Sequence, residues 1–87
     1  MQMMDLDELE YGDWVYVEPK SGKPYVMMTI SVVERIGIIL GYEITSDDKD
    51  MPVRNRWTAH ENARRVSPSA AAKLTDDRIV SMFISKL

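Results

Sequence analysis

The amino-acid sequence predicts a mainly β fold, a small five-stranded barrel that is followed by a C-terminal α-helix. Two observations predict the strands. Short runs of β-branched and aromatic residues alternate with period two, and clusters of glycine, proline and polar residues separate these runs. A third observation predicts the helix, because the apolar residues that follow residue 75 recur at helical spacing.

The first strand is predicted at residues 14–17, where the sequence Trp-Val-Tyr-Val combines aromatic and β-branched side chains. It follows a turn that contains the Gly12-Asp13 pair. Residues 19–24 include two prolines, which cannot donate a hydrogen bond to a central sheet ladder. We therefore expect a loop there, between the first and second strands.

Two longer alternating runs predict an antiparallel hairpin. The first run covers residues 25–36, and the second covers residues 38–44 after a tight connection that ends at Gly37. One face of the first run carries Val26, Met28, Ile30 and Val32. Gly41 lies inside the third strand, where a glycine indicates a bulge or the sharp bend of a small barrel.

The fourth strand is predicted at residues 53–59, with three side chains available to the core. These are Val53, Trp57 and Ala59. A single helical turn at residues 61–64 and a brief strand at residues 65–66 are expected to follow. The strand series therefore ends before residue 67.

The C-terminal part of the chain carries helical signals. Ser67 and Pro68 favour a short helical turn, since serine caps helix ends and proline suits a first turn. The sequence Thr-Asp-Asp at residues 75–77 is a stronger start signal, and we expect the main helix to begin there. One side of that helix is apolar and consists of Ile79, Val80, Phe83, Ile84 and Leu87. We expect this stripe to cover an open side of the barrel, with a dimer contact as the alternative.

Length and composition predict one domain, residues 1–87, with the barrel at residues 9–66 and the helical segment at residues 67–87. A chain of 87 residues has room for one core, and 45% hydrophobic and 29% charged residues are typical of folded proteins. The sequence has no cysteine and no apolar run of the length that crosses a bilayer. We expect a cytoplasmic protein without disulfides and without membrane association.

Motifs at both ends of the predicted barrel resemble a known fold. The opening Leu9-x-x-Gly12-Asp13-x-Val15-x-Val17 and the closing Trp57-Thr58-Ala59-His60-Glu61-x-x-Arg64-Arg65-Val66-x-Pro68 resemble SH3-like barrels of the KOW, Tudor, chromo-barrel and integrase C-terminal kind. In those families a Gly-Asp turn starts the first strand, and a short 3₁₀ turn leads into the last. The resemblance implies an SH3-like barrel.

The layout of a barrel followed by Leu-Thr-Asp-Asp-Arg-Ile at residues 74–79 is also similar to short uncharacterised proteins of gut bacteria and their mobile elements. Those proteins close with a helix of the Pro-x-x-Leu-Thr-Glu-Glu-Ile-Leu type. Here an alanine run lengthens the spacing from Pro68 to Leu74. This resemblance implies an accessory protein of a phage or other mobile element, and it implies no activity.

The sequence contains no set of residues that is typical of an enzyme or a cofactor site. His60 is the only histidine, and a lone histidine cannot assemble a nucleophile, a base and an orienting group. The acidic loop at residues 45–52 lacks the glycine and the final glutamate of a calcium site, and no glycine-rich phosphate loop is present. We predict a non-enzymatic protein without a metal or cofactor, in which His60 is a rim or structural residue.

Aromatic residues form the first candidate binding surface. If Val15 and Val17 face the core, strand alternation places Trp14 and Tyr16 on the opposite face. Exposed aromatic side chains are typical interface anchors. Two alternatives stay open at this point: the C-terminal helix covers these residues, or Trp14 faces inward.

A second candidate surface is basic and consists of Arg54, Arg56, Arg64 and Arg65. If Trp14, Tyr16 or Tyr25 lies beside these arginines, base stacking and neutralisation of a nucleic-acid backbone become possible. Guanidinium groups fork onto phosphates or carboxylates, and aromatic rings stack on bases. The charged residues of the first 18 positions are all acidic, so self-pairing of the arginines with this segment is an alternative.

These observations predict a protein-interaction module with an unidentified protein partner. A nucleic-acid-binding barrel that uses the arginine residues is the alternative. A structural subunit of a homo-oligomer is a further alternative.

Overall fold

A computed structural model describes residues 9–45 and 53–86 of the chain. Its strands are β1 (Trp14–Val17), β2 (Tyr25–Val33), β3 (Ile38–Ile44), β4 (Val53–Ala59) and β5 (Ala63–Val66). Two helices follow, α1 (Pro68–Leu74) and α2 (Arg78–Ser85), and 3₁₀ turns at Glu34–Ile36 and His60–Asn62 connect strands. The mainly β prediction is confirmed. The predicted loop residues 46–52 lie outside the described residues.

The five strands form one antiparallel sheet in the order β4-β3-β2-β1-β5. Within the described residues, β4 and β5 each pair with one strand only, so they are the two edges of an open sheet. The 3₁₀ turn His60–Asn62 joins these edge strands in the chain. The predicted short turn before the last strand is therefore present, one residue earlier than expected.

Both faces of the sheet carry a core. On the first face, here called the core face, Val15, Val17, Met27 and Ile39 are fully buried together with Leu9. The second face is called the helix face, and its cluster joins sheet residues to both helices: Trp14, Val26, Ala71, Ala72, Val80 and Ile84. The small side chains of Ala71 and Ala72 allow α1 to approach β1 closely.

A bulge in β2 changes the predicted alternation. The pairing with β3 shifts between Thr29 and Ser31, which leaves one extra residue in β2. Val32 consequently lies opposite Ile39 and packs on the core face. The prediction that Val32 shares a face with Val26 is wrong, because strict period two cannot continue across an inserted residue. A bulge was considered at Gly41 of β3; the observed bulge lies in β2, next to the residue that pairs with Gly41.

Two capped helices follow the strands, where a short helical turn and a main helix were predicted. Ser67 Oγ accepts a hydrogen bond from the Ala70 amide at 3.1 Å and so caps α1. Asp77 Oδ1 accepts hydrogen bonds from the amides of Ile79 and Val80, so α2 begins after Asp77 instead of at Thr75. No helix in the described part of the chain is both long and apolar enough to span a membrane.

The apolar stripe of α2 is only half buried, which predicts unequal effects for two isoleucines. Ile84→Ala is expected to lower the free energy of unfolding by about 3 kcal/mol, because Ile84 is 1% exposed and its loss leaves a cavity. Ile79→Ala is expected to lower it by less than about 0.5 kcal/mol, since Ile79 is 66% exposed. Urea denaturation followed by circular dichroism measures both. Equal losses would contradict this orientation of α2.

Candidate binding surface

Trp14 does not belong to an exposed aromatic surface. It is 4% exposed and lies in the helix-face cluster, where α1 contacts β1. Of the three placements considered for this residue, coverage by the C-terminal helices is the one that the structure shows. Tyr16 is half-buried on the same face, with the Arg64 guanidinium 5.2 Å from its ring centre. Trp14 is therefore removed from the candidate anchors.

One of the four candidate arginines, Arg56, contacts Tyr25 on the core face of the sheet. The Arg56 guanidinium carbon lies 3.9 Å from the centre of the Tyr25 ring, a stacking contact. Arg54 and Arg56 alternate with Asn55 on β4, so both side chains project to the same side. The structure thus places Arg56 against Tyr25, one of the three aromatic residues considered, with Arg54 on the same face of β4.

Glu43 partly neutralises this basic group, and the sequence reasoning did not single it out. Its Oε1 atom lies 3.0 Å from Nη1 of Arg56 and 3.8 Å from Nη1 of Arg54. The contact follows from the sheet register, because Glu43 on β3 lies directly opposite Arg54 on β4. Only a correct pairing of these two strands would have predicted it. One carboxylate facing two guanidinium groups leaves one positive charge in excess.

Arg64 and Arg65 lie at the other edge of the sheet, on β5. They are consecutive strand residues, so they project to opposite faces, with Arg64 opposite Tyr16 and Arg65 opposite Val15. The four arginines therefore occupy two edge strands and do not line a single strand or face. This separation divides the predicted basic surface into two smaller ones.

A polar cleft of about 370 Å³ adjoins Arg54 and Arg56. Its other walls are the loop before β2, the end of β3 and the connection between α1 and α2. The charged lining residues are Lys23, Arg54 and Arg56 on the positive side, and Glu43, Asp76 and Asp77 on the negative side. Such balanced charge does not favour a polyanion such as a nucleic-acid backbone.

Trp57 is the exposed aromatic residue that the sequence reasoning misplaced. It was expected in the core, but it is 66% exposed on the helix face of β4. Val53 was also expected to face the core, and it is exposed as well. The reason is the strand order: the helices lie over β1, β2 and β5, and β4 is at the far edge. Trp57 lies directly opposite Leu40 of β3, which is itself exposed.

His60 has a packing contact that accounts for its position. Its amide donates a hydrogen bond to the Gly37 carbonyl at 2.8 Å. The imidazole lies over Gly37, since a Cβ added there would be 3.0 Å from His60 Nδ1. Among residues 9–45 and 53–86, no group of three or more potential ligands is arranged to hold a metal ion.

The surface that results consists of β4 and its neighbour Leu40, with Trp57 on one face and Arg54 and Arg56 on the other. In comparisons with known proteins, no family model matches the chain, and no curated protein or solved structure matches it significantly.

Proposed function

We propose that this chain is a small non-enzymatic protein-interaction module that binds a protein partner through β4 and Leu40. The observation that carries the proposal is the 66% exposure of Trp57, on an edge strand and next to an exposed leucine. Tryptophan buries a large area with only two rotatable side-chain bonds, and it is one of the residue types enriched at binding hot spots. Trp57 therefore replaces Trp14 as the proposed aromatic anchor.

An SH3-like barrel is the proposed architecture for this module. The meander of four strands followed by a 3₁₀ turn and a fifth strand supports it, as does the position of β5 beside β1. The barrel proposed here is a partly open one, in which β4 and β5 stay the two edges of the sheet. Origin from a phage or mobile element stays a prediction.

Nucleic-acid binding is the second candidate function, and one contact favours it. The Arg56–Tyr25 stack combines a cation with an aromatic face, the two groups that single-stranded nucleic acids contact. Glu43 and the carboxylates of the adjoining cleft weaken this candidate, because a nucleic-acid backbone carries a phosphate at every nucleotide and Glu43 leaves only one positive charge of Arg54 and Arg56 in excess. We therefore place it behind protein binding.

The proposal predicts that Trp57 dominates binding. Peptides displayed on phage would be selected against the wild-type protein, and the affinities of the selected peptides would be measured by calorimetry. Trp57→Ser is expected to weaken binding at least about thirtyfold, which corresponds to a hot-spot loss of about 2 kcal/mol. The stability of the protein is expected to change little, since the side chain is mostly in solvent.

Tyr11→Ser is the matched control, because Tyr11 is an aromatic residue that is 71% exposed and lies in a turn outside β4. We expect it to leave the affinities within about threefold, as peripheral contacts do. Selection of no peptide, or of peptides that bind Trp57→Ser as tightly as wild type, would contradict the proposal.

A further inference from the structure

β4 is an edge strand of the sheet, and this position indicates how a partner binds to it. An edge strand presents unpaired backbone N–H and C=O groups along its outer side, and an extended segment of another protein can add to it as a further strand. β4 has seven residues, whereas the opposite edge strand, β5, has four. β4 also contains no proline, so each of its outward-facing amides can donate a hydrogen bond.

We propose that the partner is an acidic extended segment that adds antiparallel to β4. It carries carboxylates at two positions, one opposite Arg56 and one opposite Arg54, with one residue between them. The residue that precedes the first carboxylate is apolar and lies opposite Trp57. In the partner's chain direction the pattern is apolar, acidic, any residue, acidic. This inference rests on the proposed protein-binding function and specifies its ligand.

Within the sheet, β3 already supplies one carboxylate to Arg54 and Arg56. On the inner side of β4, Glu43 of β3 lies opposite Arg54 and contacts both arginines through a single oxygen. The contacts use one nitrogen of each guanidinium, and a guanidinium has five N–H donors. The arginine side chains are 48% and 33% exposed at positions 54 and 56. A strand on the outer side places its carboxylates next to these remaining donors, as cross-strand ion pairs require.

A second copy of this chain is a poorer occupant. Antiparallel pairing of β4 with itself over all seven residues sets Arg56 of one copy opposite Arg56 of the other. Like charges directly opposite each other destabilise a strand pair. Avoiding an arginine pair requires a shorter or shifted overlap, such as one centred on Trp57. The charges of β4 thus favour an acidic foreign segment over a symmetric dimer.

The first experiment compares two synthetic peptides that differ only in charge. One has Leu-Glu-Thr-Glu at the centre of a strand-forming sequence, and the other has Leu-Gln-Thr-Gln. Affinities measured by nuclear magnetic resonance titration at low salt are expected to favour the acidic peptide about tenfold. The preference is expected to shrink as salt is raised, because exposed ion pairs are screened.

Two arginine variants test whether the preference for the acidic peptide arises at β4. Arg54→Gln is expected to remove most of the preference for the acidic peptide. Arg35→Gln makes the same change of net charge at an exposed residue of a 3₁₀ turn, and it is expected to retain the preference. Equal affinity for both peptides, or equal effects of the two variants, would overturn the inference.

Backbone methylation of the peptide tests strand addition itself. N-methyl groups on the amides that face β4 are expected to abolish binding, and N-methyl groups on the alternate amides are expected to leave it. Amide shifts confined to residues outside β4, displacement of the peptide by a single-stranded oligonucleotide, or a dimer that the peptide does not dissociate would overturn the inference.

The two proposals fail in different ways. If phage selection yields peptides that depend on Trp57 but neither synthetic peptide binds, the acidic-strand inference is wrong and the protein-binding function stands. If selection also yields no peptide that depends on Trp57, both are wrong.

Discussion

Trp14→Ala is expected to lower the free energy of unfolding by about 4 kcal/mol, the largest loss from any single side chain considered above. Trp14 is 4% exposed and joins β1 to both helices through Ala71, Ala72, Val80 and Ile84. Its removal forfeits the transfer of an indole ring from water and leaves a cavity that short alanine side chains cannot fill. A domain of this length has a total stability of about 4 to 13 kcal/mol, so much of the variant is expected to be unfolded at 37 °C.

Urea denaturation followed by circular dichroism measures this loss. Trp14→Phe keeps an aromatic ring in the same space and is expected to lose less than half as much stability. The Tyr11→Ser control for Trp57 serves here too, since it changes an exposed aromatic residue. A loss below about 1 kcal/mol for Trp14→Ala would show that the helices do not cover β1 in solution. Trp14 would then return to the set of candidate anchors.

The strand positions followed from the sequence because strand periodicity is a local property. The runs at residues 14–17, 38–44 and 53–59 are strands with the expected bounds. Period two and flanking turn residues carry that information within a few positions. The bulge in β2 was missed, since an inserted residue leaves no composition signal of its own in an apolar run.

The binding surface followed from the sequence only in part, because exposure depends on strand order. The alternation within β4 correctly placed Arg54 and Arg56 on one face. Whether Trp57 on the other face is buried depends on where the helices lie, and this is a tertiary property. The contact of Glu43 with both arginines likewise requires the β3–β4 register, which joins residues far apart in the chain.

Gly41→Ala is expected to lower the free energy of unfolding by about 2 to 3 kcal/mol. Elsewhere, where the backbone conformation suits alanine, the same change usually stabilises a protein because it reduces the entropy of the unfolded chain. A Cβ at Gly41 would lie 2.7 Å from the Met28 carbonyl oxygen and 2.8 Å from Met27 Sδ. The carbonyl belongs to the backbone of β2, and Met27 is fully buried, so neither atom can move aside without disturbing the core. The β2–β3 pair is expected to separate locally.

Gly22→Ala is the matched control, because its expected loss of stability has a different physical origin. Its φ is +98°, and an added Cβ there would have no neighbour within 4 Å. Gly22→Ala is expected to cost about 1 to 2 kcal/mol from backbone conformation alone, and a longer side chain that is not branched at Cβ should add little. At Gly41 the cost should instead rise with the length of an unbranched side chain, because the limit there is space.

Gly41 also lies opposite Arg56. A shift of β3 at Gly41 is therefore expected to move β4. Among the molecules that fold, Gly41→Ala is expected to bind the phage-selected, Trp57-dependent peptides more weakly than Gly22→Ala does. Equal binding by the two variants would indicate that the position of β3 does not set the geometry of β4.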